Sequence, residues 1–426
     1  MRTSNISYII KKTLIFLFFF AINLSAQNSI KSSISSILSS VHPGVHSSVL
    51  VLDPLSNDTI YAKNISRLMM PASVTKLFTT ITALSLMGPE YKLNTVIYAE
   101  NQVSQGILHG NIYLKGYGNS LFTGEDLADM VNELKQKGIT KIAGDVVADD
   151  SYFDDEYRRS DWIEDEQGDA GMPPVSAIVI DRNMSSTTVK GRRGTYRTRS
   201  AKVANPPLSA ANKFCNELKK SGITVTGKAV SGTTPKTAVE LTKRGVALKE
   251  LIKTINKRSD NFLAECLYKT LGAFHSKIEG SSFYSSQAEK SFLSKNDIIT
   301  DGGEIVDGSG LSHSNQISAR GLVNLLEWAY SNLPCFDDLA KSLSIAGEDG
   351  TLRNRMLDSD ASAHFFGKTG TLNGVSTLAG YLKCKSGDEL IIVIMFEFGG
   401  ASPKHYRRLQ DLIIEAASGY KYNPER

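Results

Sequence analysis

Pro71-Ala72-Ser73-Val74-Thr75-Lys76-Leu77-Phe78-Thr79-Thr80 sets a serine and a lysine three positions apart at the start of an apolar run. The residues that follow, through Leu84, have the spacing of a buried helix, and Pro71 at its head costs little because the first turn lacks hydrogen-bond partners in any case. On such a helix Ser73 and Lys76 share one face. A serine hydroxyl is a poor nucleophile at neutral pH and needs a base within reach, which a neutral lysine amine supplies. The helix start adds exposed amides and the positive end of its dipole, suited to oxyanion character on an attacked carbonyl. Taken alone, the same pair reads as an N-cap serine and a surface lysine.

Two later segments complete the set. Ser259-Asp260-Asn261 sits in a bend between the helical patterns 248–255 and 262–274, and Lys368-Thr369-Gly370-Thr371 begins the strand side of a cleft. Each motif alone is weak, because decoys of the same form occur at 418–421, 294–296, 220–222 and 385–387. Order, wide spacing and context separate the true set. Lys76 must be neutral part of the time, so its pKa has to fall well below the reference of about 10.4. Burial and a second cation, for which Lys368 is the candidate, both push it that way. Ser259 is placed to relay a proton to a leaving amine, and Asn261 to hold the substrate amide or the neighbouring lysine. Asp260 has only a structural role. Lys368, Thr369 and Thr371 are expected to bind a substrate carboxylate, and Gly370 to let the substrate backbone come close. The oxyanion hole falls to the amides of Ser73 and Thr371.

Composition excludes other classes. The formal charge of +4 is small for 426 residues, and no lysine or arginine run approaches a nucleic-acid footprint. None of the histidines forms a metal-type pair with another ligand, so neither metal nor cofactor is expected. Cys215, Cys266, Cys335 and Cys384 lack Cys-x-x-Cys spacing; paired disulfides and free buried thiols both stay open. No Ser-His-Asp set competes, since Gly308-Ser309-Gly310 lacks the nucleophile-elbow pattern.

The N-terminus carries Arg2, Lys11 and Lys12, an apolar run from Leu14 to Ile22, then Ser25-Ala26 before Gln27. This reads as a signal peptide over 1–26, its apolar run being roughly half of the ~20 residues that span a bilayer. The mature protein is then exported to the periplasm, with peripheral membrane association and oligomeric state left open. Its length of about 400 residues exceeds what one core usually serves. From about 92 to 239 the texture turns to short strands and polar loops with one amphipathic helix. The expectation is an inserted domain at 92–239, separating Ser73 from Ser259, and a second domain built from both ends, 27–91 and 240–426. Acidic residues cluster over 145–169 and basic ones over 182–202, a pattern read as a solvated or mutually paired surface.

The trio is the signature shared by class A β-lactamases and penicillin-binding proteins. Further segments narrow it: Pro71-Ala72-Ser73, Ser259-Asp260-Asn261-Phe262-Leu263-Ala264-Glu265, Val306-Asp307-Gly308-Ser309-Gly310-Leu311-Ser312, Gly347-Glu348-Asp349-Gly350-Thr351-Leu352 and Lys368-Thr369-Gly370-Thr371-Leu372, with Asp149-Asp150-Ser151-Tyr152-Phe153 in the insert. Over nearly the whole mature length these resemble the class C low-molecular-mass penicillin-binding proteins, D-alanyl-D-alanine carboxypeptidases and endopeptidases. The resemblance implies an α+β fold, a penicillin-binding-protein/β-lactamase-like transpeptidase domain with an antiparallel sheet between helices and an inserted mainly β domain. It implies cleavage of peptidoglycan stem peptides through an acyl-serine, with β-lactams acylating Ser73 instead. It also makes Asp150 the candidate to face the amine of a diaminopimelate side chain. Only about twenty residues separate Asn183 from Asn205, so the nested inner domain of well-known members is reduced or absent, and His313 stands where an arginine is expected. The rival readings are a β-lactamase or esterase on the same scaffold, and a catalytically idle envelope protein that binds peptidoglycan.

Overall fold

The computed structural model describes residues 29–162, 171–190, 195–399 and 402–422; the expected signal peptide and part of the acidic block lie outside them. A six-stranded antiparallel sheet runs in the order Ser344–Ile345, Phe365–Leu372, Val375–Lys383, Glu389–Glu397, His46–Asp53, Asp58–Lys63. Both ends of the chain therefore build one sheet. Strand Glu389–Glu397 is apolar from Leu390 to Phe396 because both its faces are covered. Leu50, Leu52, Ile391, Val393 and Met395 face one way, onto helices Lys76–Met87, Leu248–Arg258, Asn261–Ser276 and Ala319–Asn332. Val49, Val51, Ile392, Ile394 and Phe396 face the other, onto the helix over residues 29–39 and the last helix, Pro403–Ala417. The antiparallel sheet between helices that the resemblance implies is what these two cores enclose.

The intervening segment forms its own core. Five strands in the order Ala229–Ser231, Val146–Asp149, Ile112–Tyr117, Lys92–Ala99, Val239–Ala247 carry a face covered by helices Gly124–Gln136 and Pro206–Lys220. The helix caps follow sequence chemistry: Thr123 and Asp126 form a reciprocal capping box, and Asn205 caps ahead of Pro206 and Pro207. Strand Val239–Ala247 joins this sheet by pairing antiparallel with Lys92–Ala99. Where a nested domain would stand, strands Met184–Lys190 and Tyr196–Lys202 form a two-stranded ribbon. All four cysteines are free thiols.

The insert packs onto the body through polar contacts that pass behind the cleft. Phe153 bridges Gly280, Lys269 pairs with Asp154, Trp162 bridges Ser312, and Arg159 Nη1 donates to the Val306 carbonyl at 2.8 Å. Ile392 lies fully buried in the second core. Truncating it leaves a cavity that packed neighbours cannot collapse. Ile392→Ala is expected to destabilise the fold by about 3–4 kcal/mol, read as a lower urea midpoint at unchanged m-value; a midpoint equal to wild type would contradict this packing.

Candidate active site

Ser73 lies in a 3-10 turn, Ala72–Thr75, that leads directly into Lys76–Met87. Ala72 has φ 49°, a left-handed conformation that costs a non-glycine residue about 1 kcal/mol. It is held there by its surroundings: the Thr75 hydroxyl donates to the Ala72 carbonyl at 2.8 Å, and the Thr377 hydroxyl to the Pro71 carbonyl at 2.7 Å. Gly310 packs so closely that a Cβ there would fall 2.0 Å from the Ala72 oxygen. The nucleophile turn is thus wedged between a loop and a strand.

The Lys76 amine is fully buried and has three partners: Ser73 Oγ at 3.0 Å, Asn261 Oδ1 at 2.7 Å and the Ser309 carbonyl at 2.5 Å. Burial lowers its pKa to about 8, against the opposing pull of the Asp307, Glu265 and Asp260 carboxylates. Lys368 is also fully buried; its amine donates to Ser259 Oγ and to the Thr369 carbonyl, each at 2.8 Å. Burial, and then the charge of Lys76, push it well below the usual ammonium range. The expected direction of influence is therefore reversed. The charge of Lys76 acts on Lys368, whereas burial is what depresses Lys76.

These bonds join Lys76 to Ser73 and Asn261, and Lys368 to Ser259, and Ser73 and Ser259 line one cleft. Ser259 has φ 55°, ending helix Leu248–Arg258 in a left-handed residue, and Asp260 then caps Asn261–Ser276 by accepting from the Leu263 amide at 3.0 Å. A cleft of 620 Å³ opens beside them, lined by Ser73, Ser259, Thr369, Gly370 and Thr371 on one side and Arg353, Lys404 and Arg407 on the other. Thr369 Oγ1 bonds Thr351 Oγ1 at 2.8 Å, and Arg407 Nη2 donates to Thr371 Oγ1 at 3.2 Å.

Three expectations change. Lys368 points inward to Ser259, so the cation beside Thr371 is Arg407. Gly370 is needed by the protein itself: a Cβ there would lie 2.1 Å from Thr377 Oγ1, 2.7 Å from the Pro71 oxygen and 3.0 Å from the Ser73 amide nitrogen. Asp150 lines neither this cleft nor the neighbouring one beside Asn261; its carboxylate accepts from Tyr157 Oη at 2.7 Å, and burial raises its pKa. The sequence reading also passed over Asp307. Its buried carboxylate accepts from the amides of Gly310 (2.7 Å) and Ser312 (2.8 Å), Asn315 Nδ2 (2.9 Å) and Trp162 Nε1 (3.2 Å), shaping the loop that aims the Ser309 carbonyl at Lys76. An aspartate just ahead of Gly-Ser-Gly was the available signal.

The arrangement can acylate a serine: a nucleophile, a buried amine base, a second hydroxyl on a second amine, and a strand edge. Residues 30–198 and 188–417 match the model of the D-Ala-D-Ala carboxypeptidase 3 (S13) family. A D-alanyl-D-alanine carboxypeptidase of an Actinomadura species is 27% identical, over 84% of this chain and 79% of the relative. The D-alanyl-D-alanine carboxypeptidase DacB of Haemophilus influenzae is 25% identical, over 79% of this chain and 82% of its own. The crystal structure of penicillin binding protein 4 from the same organism superposes with a TM-score of 0.79 at 24% identity, covering 91% of this chain and 99% of that one. A second solved structure in that fold is a predatory peptidoglycan endopeptidase of Bdellovibrio bacteriovorus, with a TM-score of 0.55 at 16% identity over 90% of this chain and 96% of its own.

Because the neutral amine is the base, acylation of Ser73 should quicken as pH rises through the Lys76 ionisation at about 8. Stopped-flow acylation by a chromogenic acyl reagent across pH 6–10, an interval of about two units on either side of that pKa, checks this; a flat profile removes Lys76 as the base.

Proposed function

The chain belongs to the D-Ala-D-Ala carboxypeptidase 3 family, and on that premise we propose how its residues release D-alanine from peptidoglycan stem peptides. It is a serine-type D-alanyl-D-alanine carboxypeptidase. The observation that carries the mechanism is the 3.0 Å contact between Ser73 Oγ and a Lys76 amine whose pKa burial has brought within reach of neutrality. Lys76 takes the Ser73 proton as Oγ attacks the carbonyl of the penultimate D-alanine. The amides of Ser73 and Thr371 receive the oxyanion. Ser259 passes a proton to the departing amine and is resupplied across its 2.8 Å bond to Lys368. Water then opens the acyl-serine ester and frees the shortened peptide.

Strand Phe365–Leu372 supports the pose. Among the described residues its outer edge is paired at Phe366 and Gly367, with Ile345 and Ser344, which leaves the Lys368–Leu372 stretch open to an added strand of substrate. Thr369, Thr371 and Arg407 would hold the terminal carboxylate there. A docked carboxylate would favour the charged form of Lys368, the amine bonded to Ser259. The open cleft admits a larger leaving group than D-alanine, which is the ground for proposing endopeptidase action on cross-links as well. A β-lactam would take the same path and acylate Ser73.

The lactamase reading needs a carboxylate free to direct a deacylating water. Asp307 is taken up by its four donors, burial pushes Glu265 up to about 8, and Asp411 in the cleft wall is bound to Arg355 at 2.7 Å. These commitments favour a long-lived penicillin adduct. The idle-scaffold reading is disfavoured because Lys76 is bonded to Ser73 and Asn261, and Lys368 to Ser259. We further assign the peptidase domain to the two terminal segments and export to residues 1–26, with a periplasmic mature protein; among the described residues no helix is long and apolar enough to cross a membrane.

Incubating the mature protein with labelled penicillin and with a D-Ala-D-Ala-terminated stem peptide tests this. The expected results are a stable adduct on Ser73 and free D-alanine, both lost in Ser73→Ala. D-alanine release by that variant at the wild-type rate would refute the mechanism. Rapid multiple turnover of penicillin without D-alanine would establish the lactamase instead.

A further inference from the structure

Asp181, Arg182 and Asn183 are three consecutive non-glycine residues in the left-handed region, with φ of 53°, 58° and 52°. Each such residue costs of order 1 kcal/mol, so a run of three persists only where its surroundings over-determine it. The two outer residues are anchored within the insert. The Asp181 carboxylate accepts from the Gly124 amide at 2.9 Å and from Lys213 Nζ at 3.0 Å. Asn183 Nδ2 donates to the Pro174 carbonyl at 3.0 Å.

The middle residue leaves the insert. Arg182 Nη1 and Nη2 reach Asp260 Oδ2 and Oδ1 at 2.8 and 3.0 Å, a fork on a fork. The guanidinium carbon lies 5.0 Å from the centre of the Phe262 ring, which fixes its plane. The charge pattern reads the basic block as solvated or paired with the acidic one, but this arginine pairs with the middle of the Ser-Asp-Asn motif. Asp260 stands between Ser259, bonded to Lys368, and Asn261, bonded to Lys76. It is also the cap of the helix that Asn261 begins.

We propose that Arg182 is a positioning residue of the acylation site, through which the insert fixes Asp260 and with it the Asn261 carboxamide and the Ser259 hydroxyl. The proposal rests on the acyl-serine reading above. Arg182 is 45% exposed, so the ion pair as a stabilising contact is worth little; its value lies in the geometry that a bidentate, stacked guanidinium imposes. A lysine cannot supply that fork.

An electrical consequence separates positioning from mere stability. The charged groups facing Lys76 are Asp307, Glu265 and Asp260, all raising its pKa, with Lys368 across the site, Glu289 bonded to Thr79 on its helix, and Arg159 facing Glu265 and Asp307. Removing Arg182 leaves the Asp260 charge uncompensated. Lys76 then holds its proton to higher pH, and the acid limb of the rate profile moves up.

The test compares wild type, Arg182→Gln, Arg182→Lys, Asp260→Asn and the Arg182→Gln/Asp260→Asn double variant. Measured are kcat and KM for D-alanine release, the rate of Ser73 acylation by labelled penicillin from pH 6 to 10 (about two units either side of the Lys76 pKa), and the melting temperature. Arg182→Gln is expected to lose roughly ten- to a hundredfold in kcat at little change in KM, with its acid limb shifted upward. Arg182→Lys should lose kcat while keeping the limb near wild type, because the charge remains and the fork does not. The double variant should return the limb toward wild type. Unchanged kcat and limb in Arg182→Gln would overturn the proposal, as would losses that follow only the melting temperature. If wild type takes up penicillin at Ser73 yet releases no D-alanine, the substrate assignment fails while the acylation rates still decide the role of Arg182.

Discussion

Burying the Lys76 amine is the constraint that the rest of the site answers to. An ammonium taken out of water is costly, and the fold meets that cost with acceptors from three separate segments: Ser73 on its own turn, Asn261 at a helix start and the Ser309 carbonyl in a loop. Each acceptor has a backbone condition. Ser73 follows a left-handed Ala72, Asn261 lies two residues after a left-handed Ser259, and Ser309 precedes Gly310, where a Cβ would collide with the Ala72 carbonyl. Desolvation lowers the pKa of the amine, and the carboxylates of Asp307, Glu265 and Asp260 stop the fall at about 8. With less burial the lysine would stay protonated and idle. With fewer carboxylates it would be a weaker base.

This balance explains the architecture around the site. Three segments distant in sequence can meet at one amine only if the helices bearing them are rigid, and the two-sided sheet supplies the rigidity: alternate residues of the same strands lock one helical layer on each face. The insert, entering after Ala83 and its helix and leaving into Leu248–Arg258, returns to brace the loop at Val306 with Arg159 and the bend at Asp260 with Arg182. An insertion between two motifs is therefore also a strut behind them.

Much of this was legible in the chain. The Ser73 and Lys76 pair, the bend at 259–261 and the strand after 368 all follow from short-range periodicity and chemistry. The insert was visible as a change of texture, and its reduction between Asn183 and Asn205 as a simple lack of length. What stayed hidden depends on which surfaces meet. Nothing local marks the Ser309 carbonyl as a ligand of Lys76, because every residue has a carbonyl. Arg407 reads as a charge on the outer face of the last helix until that helix is laid across strand Phe365–Leu372. Gly370 invited a substrate explanation because the chain cannot show that Pro71, Ser73 and Thr377 already occupy the space a Cβ would need. Arg182 belonged to a basic block, and only the left-handed turn turns it out of that block.

The cleft has a polarity that the strand edge alone does not provide. Backbone hydrogen bonds along an edge accept an added strand in either direction. Direction has to come from the ends, and here the ends differ. Beside Thr371 stand Arg407, Arg353 and Lys404, while beyond Asn261 the smaller 200 Å³ pocket is lined by Met172, Pro173, Phe262 and Leu311 around an Arg182 already committed to Asp260. A free carboxylate would be stabilised at the first end; among the described residues lining the second, the cation Arg182 is already paired. On the proposed reading, a peptide laid along the edge would present its C-terminus toward Arg407 and a carbonyl upstream of it toward Ser73. A preference for leaving groups that carry a free carboxylate would follow from where the positive charge sits relative to the nucleophile.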